Sequence, residues 1–153
     1  MAEDGSTIIL HNAIINLAPE IIKAIIDAQK QEIQRRIKIL RGGRSLPEIN
    51  SRVTILIDDG IAMGSTMRAS VNMCSKFSPA QLIVASPVGS PELVRALTLK
   101  KAVDEVVILE QPKYFRAVAQ VYQYWRDIPD HEVLKIMGQW QEEQLKYTQK
   151  SKE

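Results

Sequence analysis

Two carboxylates, two glycines and two hydroxyls are gathered in nine residues, Asp58-Asp59-Gly60-Ile61-Ala62-Met63-Gly64-Ser65-Thr66. Hydroxyls beside glycines suit an anion. The glycines let the backbone approach closely, and free N–H groups at a helix start add to the Ser65 and Thr66 donors. The carboxylates suit something else. Two anions beside a phosphate repel it, so the natural partners of Asp58 and Asp59 are hydroxyls, a bound divalent cation or a developing positive charge. A ligand with both hydroxyls and a phosphate satisfies both halves, and the segment reads as a site for a sugar phosphate. A Walker-type phosphate loop is excluded, because the turn lacks the Gly-Lys-Ser/Thr ending that supplies the phosphate lysine. A strand-end Asp pair alone would serve equally well as a turn cap and a solvated side chain. The glycine and hydroxyl turn directly after it is what argues for function.

The pair must be delivered by the run before it. Val53 to Ile57 has no polar face and is predicted to be a parallel strand covered on both sides, with the chemistry at its carboxyl end, where open α/β sheets bind ligands. Upstream, Thr7 to Leu10 is a short strand candidate between Gly5 and His11-Asn12. Pro19 suits the first turn of a long helix, in which Ile22, Ile25, Ile26, Ile33, Ile37 and Leu40 form one stripe that ends at Gly42-Gly43. Ser45 to Ser51 reads as a loop. After the site the pattern gives a helix from about Thr66 to Phe77, a strand over Leu82 to Ala85, a helix from Pro91 to about Lys100 and a strand over Glu105 to Leu109. Pro129-Asp130 opens a last helix. This alternation predicts an α/β protein with a parallel sheet. Phe115, Tyr122, Tyr124 and Trp125, at helical spacing, are expected in the core.

The run Ile57 to Thr66 resembles the phosphoribosyl pyrophosphate (PRPP) motif of type I phosphoribosyltransferases: an apolar strand, two acidic residues, an apolar pair, then Thr-Gly-x-Thr or close to it. Arg41-Gly42-Gly43-Arg44, Pro87-Val88 with Pro91-Glu92, and Phe115-Arg116-Ala117-Val118 near Tyr122 are similar to the predicted phosphoribosyltransferase branch. The resemblance covers about Ala2 to Trp140. It implies a Rossmann-like type I fold, with Asp58 and Asp59 as the catalytic pair on the ribose hydroxyls and Ala62, Met63, Gly64, Ser65 and Thr66 as the 5′-phosphate loop. It further implies Mg²⁺ bound through PRPP, with no direct protein ligand, and transfer of phosphoribosyl to a nitrogen nucleophile with release of pyrophosphate. In the family the loop before the motif strand lies near the active-site mouth, so Arg41 and Arg44 are candidates for the pyrophosphate. Phe115-Arg116 is a candidate for a base pocket.

Two departures count against catalysis. Met63 stands where the family usually has Thr, and losing one hydrogen bond to a charged group is worth roughly 1.5–3 kcal/mol. Nothing in residues 1 to 52 matches the family's opening segment with its pyrophosphate loop. The fold is therefore expected to be incomplete at the N-terminus, with an apolar edge at Val53 to Ile57 that Thr7 to Leu10, a second subunit or a completing chain would cover. The alternative to an enzyme is a non-catalytic sugar-phosphate or nucleotide-binding module or subunit.

Composition sets the remaining bounds. A chain of 153 residues, 45% hydrophobic, is one domain's worth, expected as residues 1–140 with a polar tail over 141–153. Twenty Lys and Arg against 18 Asp and Glu give no charge argument for nucleic acid or a membrane surface. Cys74 has no disulfide partner and reads as a small core residue. His11 and His131 lack metal-ligand spacing and read as surface or capping residues. No signal peptide or membrane span is legible, and a cytoplasmic protein is expected. The partners expected are PRPP, an unidentified acceptor, and a homo-oligomeric or completing chain.

Overall fold

The computed structural model describes residues 1–9, 16–99 and 102–150. The elements are α1 (Pro19–Arg41), β1 (Val53–Ile57), α2 (Ser65–Ser75), β2 (Gln81–Val88), α3 (Pro91–Leu99), β3 (Glu105–Glu110), a 3-10 turn (Val118–Val121) and α4 (Asp130–Lys150). The strands form a parallel sheet in the order β1-β2-β3, with Val53 opposite Gln81, Ile57 opposite Ala85, and Val84 opposite Val106. This is a Rossmann-like α/β arrangement, as the alternation predicts.

Two successive βαβ crossovers that step the same way along a sheet place both helices on one face. The core lies on that face. Leu82 and Val84 of β2 pack with Met67, Val71 and Cys74 of α2 and with Leu93 and Leu97 of α3. Cys74 is buried there, and burial pushes its thiol pKa up, so it behaves as an apolar filler. The other face differs from expectation. Val53, Ile55 and Ile57 point away from the core and are exposed, Ile57 by 76%, and Leu109 on β3 is exposed to the same extent. β1 is thus covered on one face among the described residues. The long helices do not supply the second layer: α1 packs against α4, and Arg35 pairs with Asp130 at the start of α4.

Pro19 opens α1, and Gly42, at φ 61°, ends it in the left-handed conformation. Ile22, Ile26, Ile33, Ile37 and Leu40 are half-buried, whereas Ile25 of the predicted stripe is exposed. Thr7 to Ile9 carries no strand pairing, and Leu10 to Asn12 lies outside the described residues. Ile8 instead packs against the core between the helices. The expected tail is helical as far as Lys150.

Candidate functional site

The apolar strand β1 ends at Ile57, and the two carboxylates follow at the carboxyl edge of the sheet. The Asp58 amide still donates to the Ala85 carbonyl at 3.3 Å, so Asp58 is held in sheet register. Its Oδ1 accepts from the Asp59 amide at 3.0 Å. Asp58 is half-buried and Asp59 exposed. Burial, and then the neighbouring Asp59 carboxyl, push the Asp58 pKa above the ordinary carboxylate range. A raised pKa beside a second carboxylate means that positive charge or donated hydrogen bonds would be welcome there.

The turn beyond is braced from three sides. Ile61 is 2% exposed, donates to the Val88 carbonyl at 2.9 Å and accepts from the Ser90 amide at 3.0 Å, which locks the first βα turn onto the second. Gly64 sits at φ 71°, directly before α2, and a Cβ there would lie 2.4 Å from Leu93 Cδ1. Glycine is therefore required for backbone conformation and for close approach alike. Because Gly64 has no side chain, α2 begins without a side-chain cap, and its first amides stay directed at the loop. Ala62, Met63, Gly64, Ser65 and Thr66 form a continuous surface at this helix start, with Met63 69% exposed. Met63, Ser65 and Thr66 also line a cavity of about 350 Å³ against Ile22 and Ile26 of α1.

The third brace was not legible in the sequence. The segment after β3 returns over the carboxyl edge. The Tyr122 hydroxyl donates to the Asp59 carbonyl at 2.6 Å, and Val118 packs so tightly on Gly60 that a Cβ there would sit 2.3 Å from Val118 Cγ1. Gln120 stiffens this strap by donating to the Tyr114 carbonyl and accepting from the Arg116 amide. Phe115, Tyr122, Tyr124 and Trp125 are therefore not the buried face of a helix. Tyr124 is 86% exposed, Phe115 and Tyr122 are half-buried, and only Val118–Val121 coils, as a 3-10 turn. A cavity beside Asp59 is lined by Tyr122, Tyr124 and Trp125, not by Phe115 or Arg116.

The arginines go elsewhere. Arg41 ends α1 and pairs with Glu3 at 2.6 Å, while Arg44 Nε donates to the Arg41 carbonyl at 2.9 Å. Glu3 shares a cavity with Glu48, Ile49, Lys76 and Ser78, residues that flank the entry of β1 and the exit of α2. Arg41 thus lies at the amino edge of the sheet. It is not brought to Asp58 and Asp59, because α1 runs away from the phosphate-loop side toward that edge. Among the described residues no three or more His, Cys, Asp or Glu side chains gather to hold a metal ion. The carboxylate oxygens at the site are those of Asp58 and Asp59, with the Ser65 and Thr66 hydroxyls beyond the turn.

Fold and site together define an α/β protein with an acidic pair and an anion-type turn at the carboxyl edge of a parallel sheet. No family model matches the chain. It is 29% identical over 139 residues to proteins named "Putative phosphoribosyl transferase" in two Mycobacterium tuberculosis strains, CDC 1551 / Oshkosh and ATCC 25618 / H37Rv. The match covers 90% of this chain and 31% of theirs, so the chain spans about a third of the length of these curated relatives. The crystal structure of TT1426 from Thermus thermophilus superposes with a TM-score of 0.66 and 28% identity, over 92% of this chain and 66% of that one. These relatives support a phosphoribosyltransferase-like protein. No helix among the described residues is long and apolar enough to cross a membrane.

Proposed function

We propose that the chain is of the type I phosphoribosyltransferase kind, binds PRPP with Mg²⁺, and transfers its phosphoribosyl group to a nitrogen nucleophile. The observation that carries this reading is the adjacency at one sheet edge of Asp58-Asp59 and the uncapped α2 start behind Gly64. Asp58 and Asp59 would hold the ribose hydroxyls, and Ala62 to Thr66 the 5′-phosphate. Mg²⁺, carried on the pyrophosphate, would neutralise the leaving group. In the reaction the nitrogen forms a bond to the ribose anomeric carbon, the bond from that carbon to pyrophosphate oxygen breaks, and its electron pair leaves with pyrophosphate. The nitrogen's proton passes to solvent. Positive charge grows on the ribose meanwhile, and the carboxylates stabilise it. Pyrophosphate donors would come from a second copy or a completing chain, which would also cover the apolar β1 face. A reducing cytoplasm suits the free, buried Cys74 thiol; no role with nucleic acid or a membrane is proposed.

A second reading has its own support: a sugar-phosphate or nucleotide-binding module without turnover. Met63 exposes a thioether in the phosphate loop, and Arg41 and Arg44 sit at the opposite edge of the sheet. Calorimetric titration with PRPP and Mg²⁺, with Asp58→Asn/Asp59→Asn as control, tests both readings. Binding that vanishes in the double mutant is expected; a folded wild type that gives no heat with PRPP overturns the transferase reading, and one that also gives none with ribose 5-phosphate and AMP overturns the module. Pyrophosphate release with a panel of nitrogen acceptors then separates enzyme from module.

A further inference from the structure

We infer that Met63 is an oxidation site that switches the phosphate loop: peroxide converts its thioether to the sulfoxide, and the sulfoxide weakens the hold of the loop on its ligand. The inference rests on the reading of Ala62 to Thr66 as the loop for a sugar phosphate. Met63 directly precedes Gly64, the left-handed residue that opens α2, and its side chain is largely in solvent. With Ser65 and Thr66 it lines the cavity of about 350 Å³ against Ile22 and Ile26. The sulfur-bearing side chain thus shares one cavity with the hydroxyls that the loop offers to an anion.

Burial directs the oxidant to this residue. Peroxide reacts with sulfur that solvent can reach. Met67 and Met73 of α2 are buried, Met1 is half-buried, and Met137 on α4 is 37% exposed against 69% at Met63. Cys74, the chain's one thiol, is buried too, and burial pushes its pKa up, so little of the reactive thiolate is present at neutral pH. With hydrogen peroxide as the oxidant the step balances. A sulfur lone pair forms the S–O bond as the O–O bond breaks, and the proton on the transferred oxygen passes to the departing hydroxide, which leaves as water. Sulfur gives up an electron pair and the peroxide is reduced by it.

The modification reverses what the side chain offers the loop. A thioether is a weak hydrogen-bond acceptor, whereas a sulfoxide oxygen is a polar acceptor with partial negative charge. The donors beside it are the Ser65 and Thr66 hydroxyls and the first amides of α2, which begins at Gly64 without a side-chain cap. These are the donors that a phosphate needs. The new oxygen competes for them and also repels the phosphate oxygens, so one chemical change opposes binding in two ways. A hydroxyl residue at position 63 would donate to the phosphate and would not respond to peroxide in this way.

The test treats the protein briefly with hydrogen peroxide, removes the oxidant, maps the product by peptide mass spectrometry and titrates it calorimetrically with ribose 5-phosphate, beside Met63→Leu handled in the same way. One added oxygen is expected on Met63 before Met1, Met67, Met73 or Met137. Ribose 5-phosphate affinity should then fall about tenfold in the treated wild type, the worth of one hydrogen bond to a charged group. Incubation with the two methionine sulfoxide reductases and dithiothreitol should restore it. Met63→Leu, whatever its own affinity, should bind equally before and after peroxide. The inference is overturned if another methionine oxidises first, if the wild type oxidised at Met63 binds as tightly as the untreated protein, or if Met63→Leu loses as much affinity. Any of these results leaves the phosphate loop standing. Untreated protein that binds no ribose 5-phosphate sinks the loop reading and the switch together.

Discussion

Replacing Gly64 by Ala should be the most damaging single methyl addition in the molecule, because two independent costs meet there. The first is conformational: at φ 71° an L-residue lies in the left-handed region, at a cost of roughly 1–2 kcal/mol. The second is steric. The new Cβ would meet Leu93 Cδ1 at 2.4 Å and Cδ2 at 2.6 Å, and Leu93 is 3% exposed in the core, so it has nowhere to retreat. Overpacking of this kind costs about 1–3 kcal/mol, which brings the sum to about 2–5 kcal/mol. Gly43→Ala separates the two costs, since Gly43 has φ 79° with nothing within 4 Å, and only the conformational cost applies. Gly138→Ala, on α4 and also in open space, should stabilise by about 0.5–1 kcal/mol. Urea unfolding of the three variants, read as midpoint shifts at constant m-value, gives the comparison. If Gly64→Ala falls within about 0.5 kcal/mol of Gly43→Ala, the tight seating of the phosphate loop on Leu93 is refuted.

Asp58→Asn should change how stability depends on pH. A carboxyl whose folded pKa is raised holds its proton more tightly in the folded protein, so its contribution is present below the ordinary 3.8 and is lost as pH rises through the raised value. The mutant should lose that downward slope and be the more stable form at neutral pH; an unchanged slope in pH-dependent urea melts would contradict it. Asp4 works in the opposite sense: its hydrogen bond from Lys76 lowers its pKa to about 2, so Lys76→Met should remove stability that is present above 3.8 and lost as pH falls. Ile57→Lys and Leu109→Lys place charge on the open sheet face, where both side chains are 76% exposed. Monomer stability should move by no more than about 0.5 kcal/mol, while sedimentation should show weaker self-association; a wild type that sediments as a monomer at high concentration refutes the association.

What was legible in the sequence was what short-range periodicity encodes. Val53–Ile57 was read to the residue, because five apolar or β-branched residues end sharply at Asp58, and α1 was bounded by Pro19 and Gly42. The acid pair and the turn after it were legible for the same reason: their parts are contiguous. Coverage of the sheet was not. A run without polar residues says that both faces tolerate burial, but which face receives a helix depends on the hand and direction of the crossovers. The aromatic strap was misread because four rings at helical spacing look like a helix face. The structure spends them instead on the segment that recrosses the sheet edge, with Tyr122 on Asp59. No local pattern announces a contact between residues so far apart.

That contact has a consequence for folding. Asp59 and Tyr122 are 63 positions apart, and both the second strand-helix unit and β3 lie between them. Each strand of this sheet pairs with the next one in sequence and can assemble progressively, but the strap can dock only after β3 has joined. The strap contacts, Tyr122 on the Asp59 carbonyl and Val118 on Gly60, should therefore form last and break first, by an opening that leaves the sheet intact and with it the Asp58 amide bonded to Ala85. A site completed by its most distant segment exists only on chains that have finished folding.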